Sequence, residues 1–260
     1  TEYMSELTNR GLTPDEIGQR MVFSYATGSN YFMEIAKIRA TRLLWSKIIE
    51  QYEFSTSKAA KVHIHTESSM YNKTIFDPYV NMLRTTTETM SAAIAGADSI
   101  SVYPFDAAYK ESDDFSRRIA TNQQILLKEE AYMDKIIDPS AGSYYIENLT
   151  NNLAENAWKI FLDIEKIGGF TKAIKENYVQ DEIEKMHEKR QGDVAKRKTV
   201  VVGTNQYPNL SEKPVEVTKK CCCQNGRDCG CKDENEQEFK ILRCQRQAKP
   251  FENLRLAVNN

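Results

Sequence analysis

Apolar and polar positions change period along this chain, and the changes mark its elements. Val22–Thr27, Val62–Glu67 and Ser99–Phe105 are short, β-branched and aromatic runs that read as strands, each feeding a stretch with helical spacing. Between the first two, Ile35, Ile38, Leu43, Trp45, Ile48 and Ile49 recur at helical intervals within Tyr31–Tyr52 and predict one buried stripe. Asp77-Pro78 predicts the start of the next helix and Gly96 its stop. Strands that alternate with helices in this way predict a parallel sheet built from βα units, whose chemistry gathers at the C-terminal strand ends. In this chain those ends are Ala26–Asn30, His65–Tyr71 and Tyr103–Asp106.

The same pattern extends outward. Thr13-Pro14-Asp15-Glu16 reads as a helix cap followed by proline and two acids, so a short helix precedes the first strand. Asp114–Glu130 and Asn148–Ile167 are amphipathic, the latter stopped by Gly168-Gly169, and the charged stretch Phe170–Arg190 predicts a surface helix. Tyr144, Tyr145, Leu149, Leu153 and Trp158 mark a helix that packs on something substantial, either core or a subunit interface. From Thr199 onward the periodicity fades, which predicts a domain over residues 1–198 and an irregular tail over 199–260 that holds a cysteine-rich insertion.

Composition narrows the function classes. The 260 residues carry 35 basic and 37 acidic side chains, a net charge of −2 with no basic stripe, which argues against nucleic-acid binding. No apolar run is long enough for a membrane span, and the first residues lack the pattern of a signal peptide, so a cytoplasmic protein is expected.

Candidate chemistry follows from spacing. Val62 and Ile64 fall on one face of the second strand, His63 and His65 on the other, and Glu67 shares that second face. His65 either donates to a bound carbonyl or is a hydrogen-bonded strand residue, and with Glu67 it forms a candidate acid–histidine pair. Arg84, Arg117 and Arg118 either meet phosphates or pair with neighbouring acids. Gly142, within Asp138–Ser143, lacks the spaced glycines and lysine of a phosphate loop and predicts a tight turn. Cys221, Cys223, Cys229 and Cys231 are candidate metal ligands, although Cys221-Cys222-Cys223 points successive thiols in different directions and the paired C-x-x-C spacing is missing.

Several blocks, in this order, resemble one family: GSNYFMEIAKIRATRLLW from Gly28, DPYVNMLRTTTETMSAAIAGADSISVYPFD from Asp77, RIATNQQILLKEE from Arg118 and DPSAGSYYIENLT from Asp138. IEKIGGF, GTNQYPN and KPFENLRLA continue the series. They are similar to the substrate-binding barrel region of methylmalonyl-CoA mutase. Catalytic chains of that family tend to read His-x-Gln-Thr-Ser-Gly where this chain has His65-Thr66-Glu67-Ser68-Ser69-Met70, so it more nearly resembles the small, non-catalytic subunit.

The resemblance implies a partial (β/α)8 TIM barrel, its C-terminal βα units, with a helical extension. It also implies a heterodimer with a large catalytic subunit that carries adenosylcobalamin, and interconversion of methylmalonyl-CoA and succinyl-CoA by the assembled enzyme. His65 and Glu67 are the substrate-facing positions it suggests. No cofactor is expected on this chain, because His187 lies in Glu184-Lys185-Met186-His187-Glu188-Lys189 without the acid and glycine of a cobalamin-ligating Asp-x-His-x-x-Gly. A chain of this extent is expected to be a fragment or split product whose open sheet edges invite self-association.

Overall fold

A computed structural model of the chain describes residues 1–54, 58–212, 215, 217–218, 239–242 and 244–259. Cys221, Cys223, Cys229 and Cys231 lie outside the described residues. The architecture is mixed α/β: helices α1 (Glu2–Asn9) and α2 (Pro14–Gly18), strand β1 (Val22–Thr27), α3 (Tyr31–Ile49), β2 (His63–Ser68), α4 (Val80–Ile94) and β3 (Ser99–Ser101), then α5 (Asp114–Glu129), α6 (Tyr144–Ile167), α7 (Phe170–Lys175), α8 (Tyr178–Ala195) and α9 (Lys249–Asn259). No described helix is long and apolar enough to cross a membrane.

The strands form one parallel sheet in the order β1-β2-β3, with Val22 opposite His63 and His65 opposite Ser99. β3 is shorter than its apolar run predicts. Pro104 has no amide hydrogen to give to a ladder, and pairing ends at Ser101, opposite Glu67.

Two compact units divide the chain. The first comprises Thr1–Ser68, Thr87–Val102 and Gln124–Thr171. Its core gathers Ile35, Ile38, Trp45 and Ile49 from α3, Val62 and Ile64 at β2, Met4, Ile17 and Ile146. The predicted stripe of α3 is thus largely the buried one, except that Ile48 is half-buried and Leu43 is 41% exposed. The cap before α2 is a full capping box: Thr13 accepts from the Glu16 amide, and Glu16 accepts from the Thr13 amide.

Arg39 of α3 binds both Asp138 oxygens, at 2.5 and 2.7 Å, and Glu147 at 2.6 Å. Gly142 between them has φ +78° and donates its amide to Glu147, so the glycine makes the predicted tight turn and sets the acid of α6 on the guanidinium. This junction also explains why α6 starts at Tyr144, earlier than periodicity predicts. Glu147 lies in its first turn and is held from outside the helix.

The second unit comprises Ser69–Thr86, Tyr103–Gln123 and Lys172–Asn260. Within it Asn81, fully buried, accepts from the Thr74 amide and donates to the carbonyls of Thr74 and Phe105. The charged stretch after Phe170 is two helices, α7 and α8, because Asn177 between them adopts φ +61°. The tail is not wholly irregular either. Helix α9 places Leu256 beside Ile75, Phe76 and Tyr109, and Arg255 lies 4.1 Å from the Phe76 ring centre.

Candidate functional site

The parallel sheet has two unlike faces. Phe23, Tyr25 and Thr27 of β1 share a face with Ile64, Thr66 and Ser68 of β2, and the β2 residues on it are buried. Phe23 meets Trp45 edge to face, with ring centres 5.4 Å apart, so α3 covers this side. The other face carries Val22, Ser24 and Ala26, all exposed, then His63, His65 and Glu67, then Ser99 and Ser101. Register sets these in rows: Ser24, His65 and Ser99 form one, and Ala26, Glu67 and Ser101 the next. Small side chains around two imidazoles and a carboxylate leave a shallow polar floor.

His65 and Glu67 stand on one face, as the alternation predicts. What the sequence did not reveal is Ser99, whose hydroxyl lies 2.8 Å from His65 Nδ1 and 3.1 Å from His63 Nε2. Ser99 is thirty-odd positions away, and only the parallel register brings it beside both rings. A serine hydroxyl has one proton, so it donates to at most one ring nitrogen and accepts an N–H from at least one ring. His65 is therefore a hydrogen-bonded strand residue, held through Nδ1.

The opposite end of β2 is clamped. Arg42 donates to the carbonyls of Val62, at 2.9 Å, and Gly96, at 2.6 Å, and to Asp98, which accepts the Ile64 amide. Burial works to raise the Asp98 pKa, but the Ile64 amide, Arg42 and the nearby charge of His63 together outweigh it and hold the carboxyl below its usual range. Beyond β1, Lys37 donates to the Ala26 carbonyl at 2.8 Å and pairs with Glu34, while Thr27 donates to the Glu67 carbonyl at 3.1 Å. These bonds fix the strand ends without occupying the polar floor.

In the second unit Arg84 donates to Thr74 Oγ1, Asn81 Oδ1 and the Val202 carbonyl at 2.8–2.9 Å. Its fork is committed to the fold, which removes the phosphate-binding reading. Arg117, exposed, lies 4.0 Å from Asp114, a neighbour on its own helix. Arg118 is exposed as well.

A groove of 720 Å³ opens beside α8, lined by Tyr71, Met186, His187, Arg190, Phe239 and Ile241 among others. Arg190 lies 5.8 Å from the Tyr71 ring centre, and the His187 ring meets the same ring at 6.2 Å. Burial raises the Tyr71 phenol pKa, with Arg190 opposing. Charge along Phe170–Arg190 predicts only a solvated helix, because the groove wall comes from residues far away in sequence.

At the strand end Tyr103–Asp106, Asp106 is fully buried, accepts from Ser112 at 2.8 Å and lies 3.4 Å from Lys110. Lys110 also donates to Asp113, which accepts the Ser116 amide in the first turn of α5. Those two bonds, Lys110 first, lower the Asp113 pKa from 3.8 to about 2. Because the folded value lies below the unfolded one, the stabilisation is complete above about pH 4 and disappears as the pH falls through about 2. A carboxyl-detected NMR titration is expected to give Asp113 a midpoint near 2 in the parent and a higher one in Lys110→Met, still short of 3.8 because the Ser116 amide continues to hold the carboxylate. An unchanged midpoint in the variant would remove Lys110 as the cause.

The family model described as methylmalonyl-CoA mutase matches residues 1–252. A methylmalonyl-CoA mutase small subunit of Porphyromonas gingivalis is 52% identical over 258 residues, 99% of this chain and 41% of that protein. The large subunit of the same organism is 37% identical over 216 residues, 83% of this chain and 30% of that one. A methylmalonyl-CoA mutase of Rhizobium meliloti is 39% identical over 216 residues, again 83% of this chain and 30% of the relative. The chain thus spans less than half the length of these relatives.

Proposed function

This chain belongs to the methylmalonyl-CoA mutase family, and from that premise we propose that it is part of the small, structural subunit of such a mutase, an isomerase. The observation that carries the proposal is the contrast within one organism: 52% identity to the small subunit of Porphyromonas gingivalis against 37% to its large subunit. The departures at Glu67 and Met70 from the catalytic strand motif agree with it. In this reading the partner is the large catalytic subunit, in a cytoplasmic heterodimer, and the assembled enzyme interconverts methylmalonyl-CoA and succinyl-CoA.

The sheet supports a barrel wall. All-parallel sheets are normally covered on both faces, yet here one face carries helix α3 and the other a mostly polar set of exposed and half-buried residues. A (β/α)8 barrel turns such a face inward, and further strands beside β1 and β3 close the ring. We take residues 1–198 as the barrel part and 199–260 as its extension, with α9 laid back on the 73–76 segment. His65, through Nε2, and Glu67 are then the groups of this chain nearest an acyl-CoA thioester.

Adenosylcobalamin supplies the carbon radical in this reaction, and the described residues of this chain do not fit it. His187, its nearest analogue of a cobalt ligand, lies within helix α8 with its ring against Tyr71, and the surrounding Glu184–Lys189 lacks the loop-forming glycine. We therefore place the cofactor on the partner subunit and give this chain a share in enclosing the reaction.

The test is co-expression with a family large subunit. A stoichiometric complex with mutase activity, together with no turnover by this chain and adenosylcobalamin alone, is the expected result. Micromolar binding of cobalamin by this chain alone in calorimetry, or failure to associate with any family large subunit, would overturn the reading.

A further inference from the structure

The polar face of the sheet carries a feature that neither a barrel wall nor a thioester requires, the convergence of two ring nitrogens on one atom. His63 and His65 are two positions apart on β2, so their Cα atoms are about 6.6 Å apart on the same face. His63 reaches forward with Nε2 and His65 inward with Nδ1, to 3.1 and 2.8 Å from the same Ser99 oxygen. Two imidazoles held to a common point by a rigid strand resemble a chelate more than two independent hydrogen bonds. We propose that His63 and His65 form a two-histidine site for a divalent transition cation of the Ni2+ or Zn2+ kind, with the Ser99 hydroxyl as the adjacent oxygen donor.

Imidazole nitrogen suits these ions, and their bonds to it are about 2.0–2.1 Å, which the two rings reach by turning toward a shared point beside the Ser99 hydroxyl. Any ring that donates its proton to the hydroxyl changes tautomer on binding, so both nitrogens face the ion and both protons sit on the far nitrogens. The nearby charges are mixed, since Arg42 pairs with Asp98 at 2.9 Å. Glu67 follows on the same face, and the Asp98 carboxylate is close enough to His63 to feel its charge. No group of three or more His, Cys, Asp or Glu able to hold a metal occurs among the described residues, so water completes the coordination and the ion exchanges readily. His63 is exposed, which leaves a route for entry.

The chain has three histidines and six cysteines, so the experiment must separate imidazole from thiolate. Ni2+ is titrated calorimetrically into the full chain before and after alkylation of its thiols. One Ni2+ per chain is expected to survive alkylation, with affinity falling at least tenfold in His63→Gln and in His65→Gln. Loss of all binding on alkylation, or affinities within twofold of the parent in both variants, would overturn the site. Imidazole proton spectra of the unsubstituted chain give the same answer without depending on variants: Ni2+ is expected to broaden His63 and His65 before His187, and broadening of His187 first would overturn it.

Discussion

Trp45→Ala is expected to destabilise the first unit by about 3–5 kcal/mol, the range for emptying a large aromatic site in a core. Trp45 is 3% exposed, and its loss acts three ways. It removes the edge-to-face contact with Phe23, it opens a cavity under β1, and it leaves the Ala59 carbonyl without the indole N–H that now donates to it at 3.1 Å. Trp45→Phe restores most of the volume and the aromatic contact but not that donor, so its expected cost is roughly 1–2 kcal/mol. Urea unfolding followed by far-UV circular dichroism reads both, and a cost below about 1 kcal/mol for the alanine variant would show that α3 does not anchor the sheet.

The second large effect lies in the other unit, at Glu252. Its carboxylate, 2% exposed, accepts the Ile75 amide at 2.8 Å and pairs with Arg246 at 2.8–3.0 Å, while Arg246 also donates to the Lys73 carbonyl. Glu252→Ala strands a largely buried guanidinium and an amide hydrogen together, and breaking such a pair costs about 3–5 kcal/mol. Removing both partners is expected to cost less than the sum of the single losses, because the uncompensated charge goes with its partner. Limited proteolysis is the second readout: α9 should become cleavable in Glu252→Ala, and unaltered resistance would show that the pair does not hold the helix.

These two sites differ in how visible they were beforehand. Trp45 belongs to a stripe written into Tyr31–Ile49, since helical spacing forces its residues onto one side and burial follows wherever a sheet is available. Glu252 looks like one more acid in a tail without clear period. Its partners Ile75 and Arg246 include a backbone amide in a loop some 177 positions distant, and no local pattern encodes that pairing. For the same reason Lys249-Pro250, a usable helix-start signal, passed unread until the 73–76 segment gave α9 something to pack on.

Element ends divide along similar lines. Gly168 ends α6 in the left-handed conformation, φ +113°, where the double glycine predicts it. Asp77, by contrast, takes φ +49°, so the turn at Asp77-Pro78 completes itself before α4 begins at Val80. Asn177 likewise breaks a charged run that periodicity reads as one helix. A non-glycine residue in the left-handed region is chosen by its surroundings, and sequence alone gives little notice of it.

Local sequence was enough to determine the βα order, the parallel sense of the strands, the stripe of α3, the capping box at Thr13 and the face shared by His63, His65 and Glu67. All of these follow from periods of two and 3.6 and from capping chemistry, which act over a few residues. Tertiary structure alone decided that Ser99 stands between the two imidazoles, that Arg84 is spent on the fold and that Arg39 joins α3 to the turn at Gly142. Strand register and side-chain hydrogen bonds between distant segments depend on how elements settle against one another, and that is fixed only when the core closes.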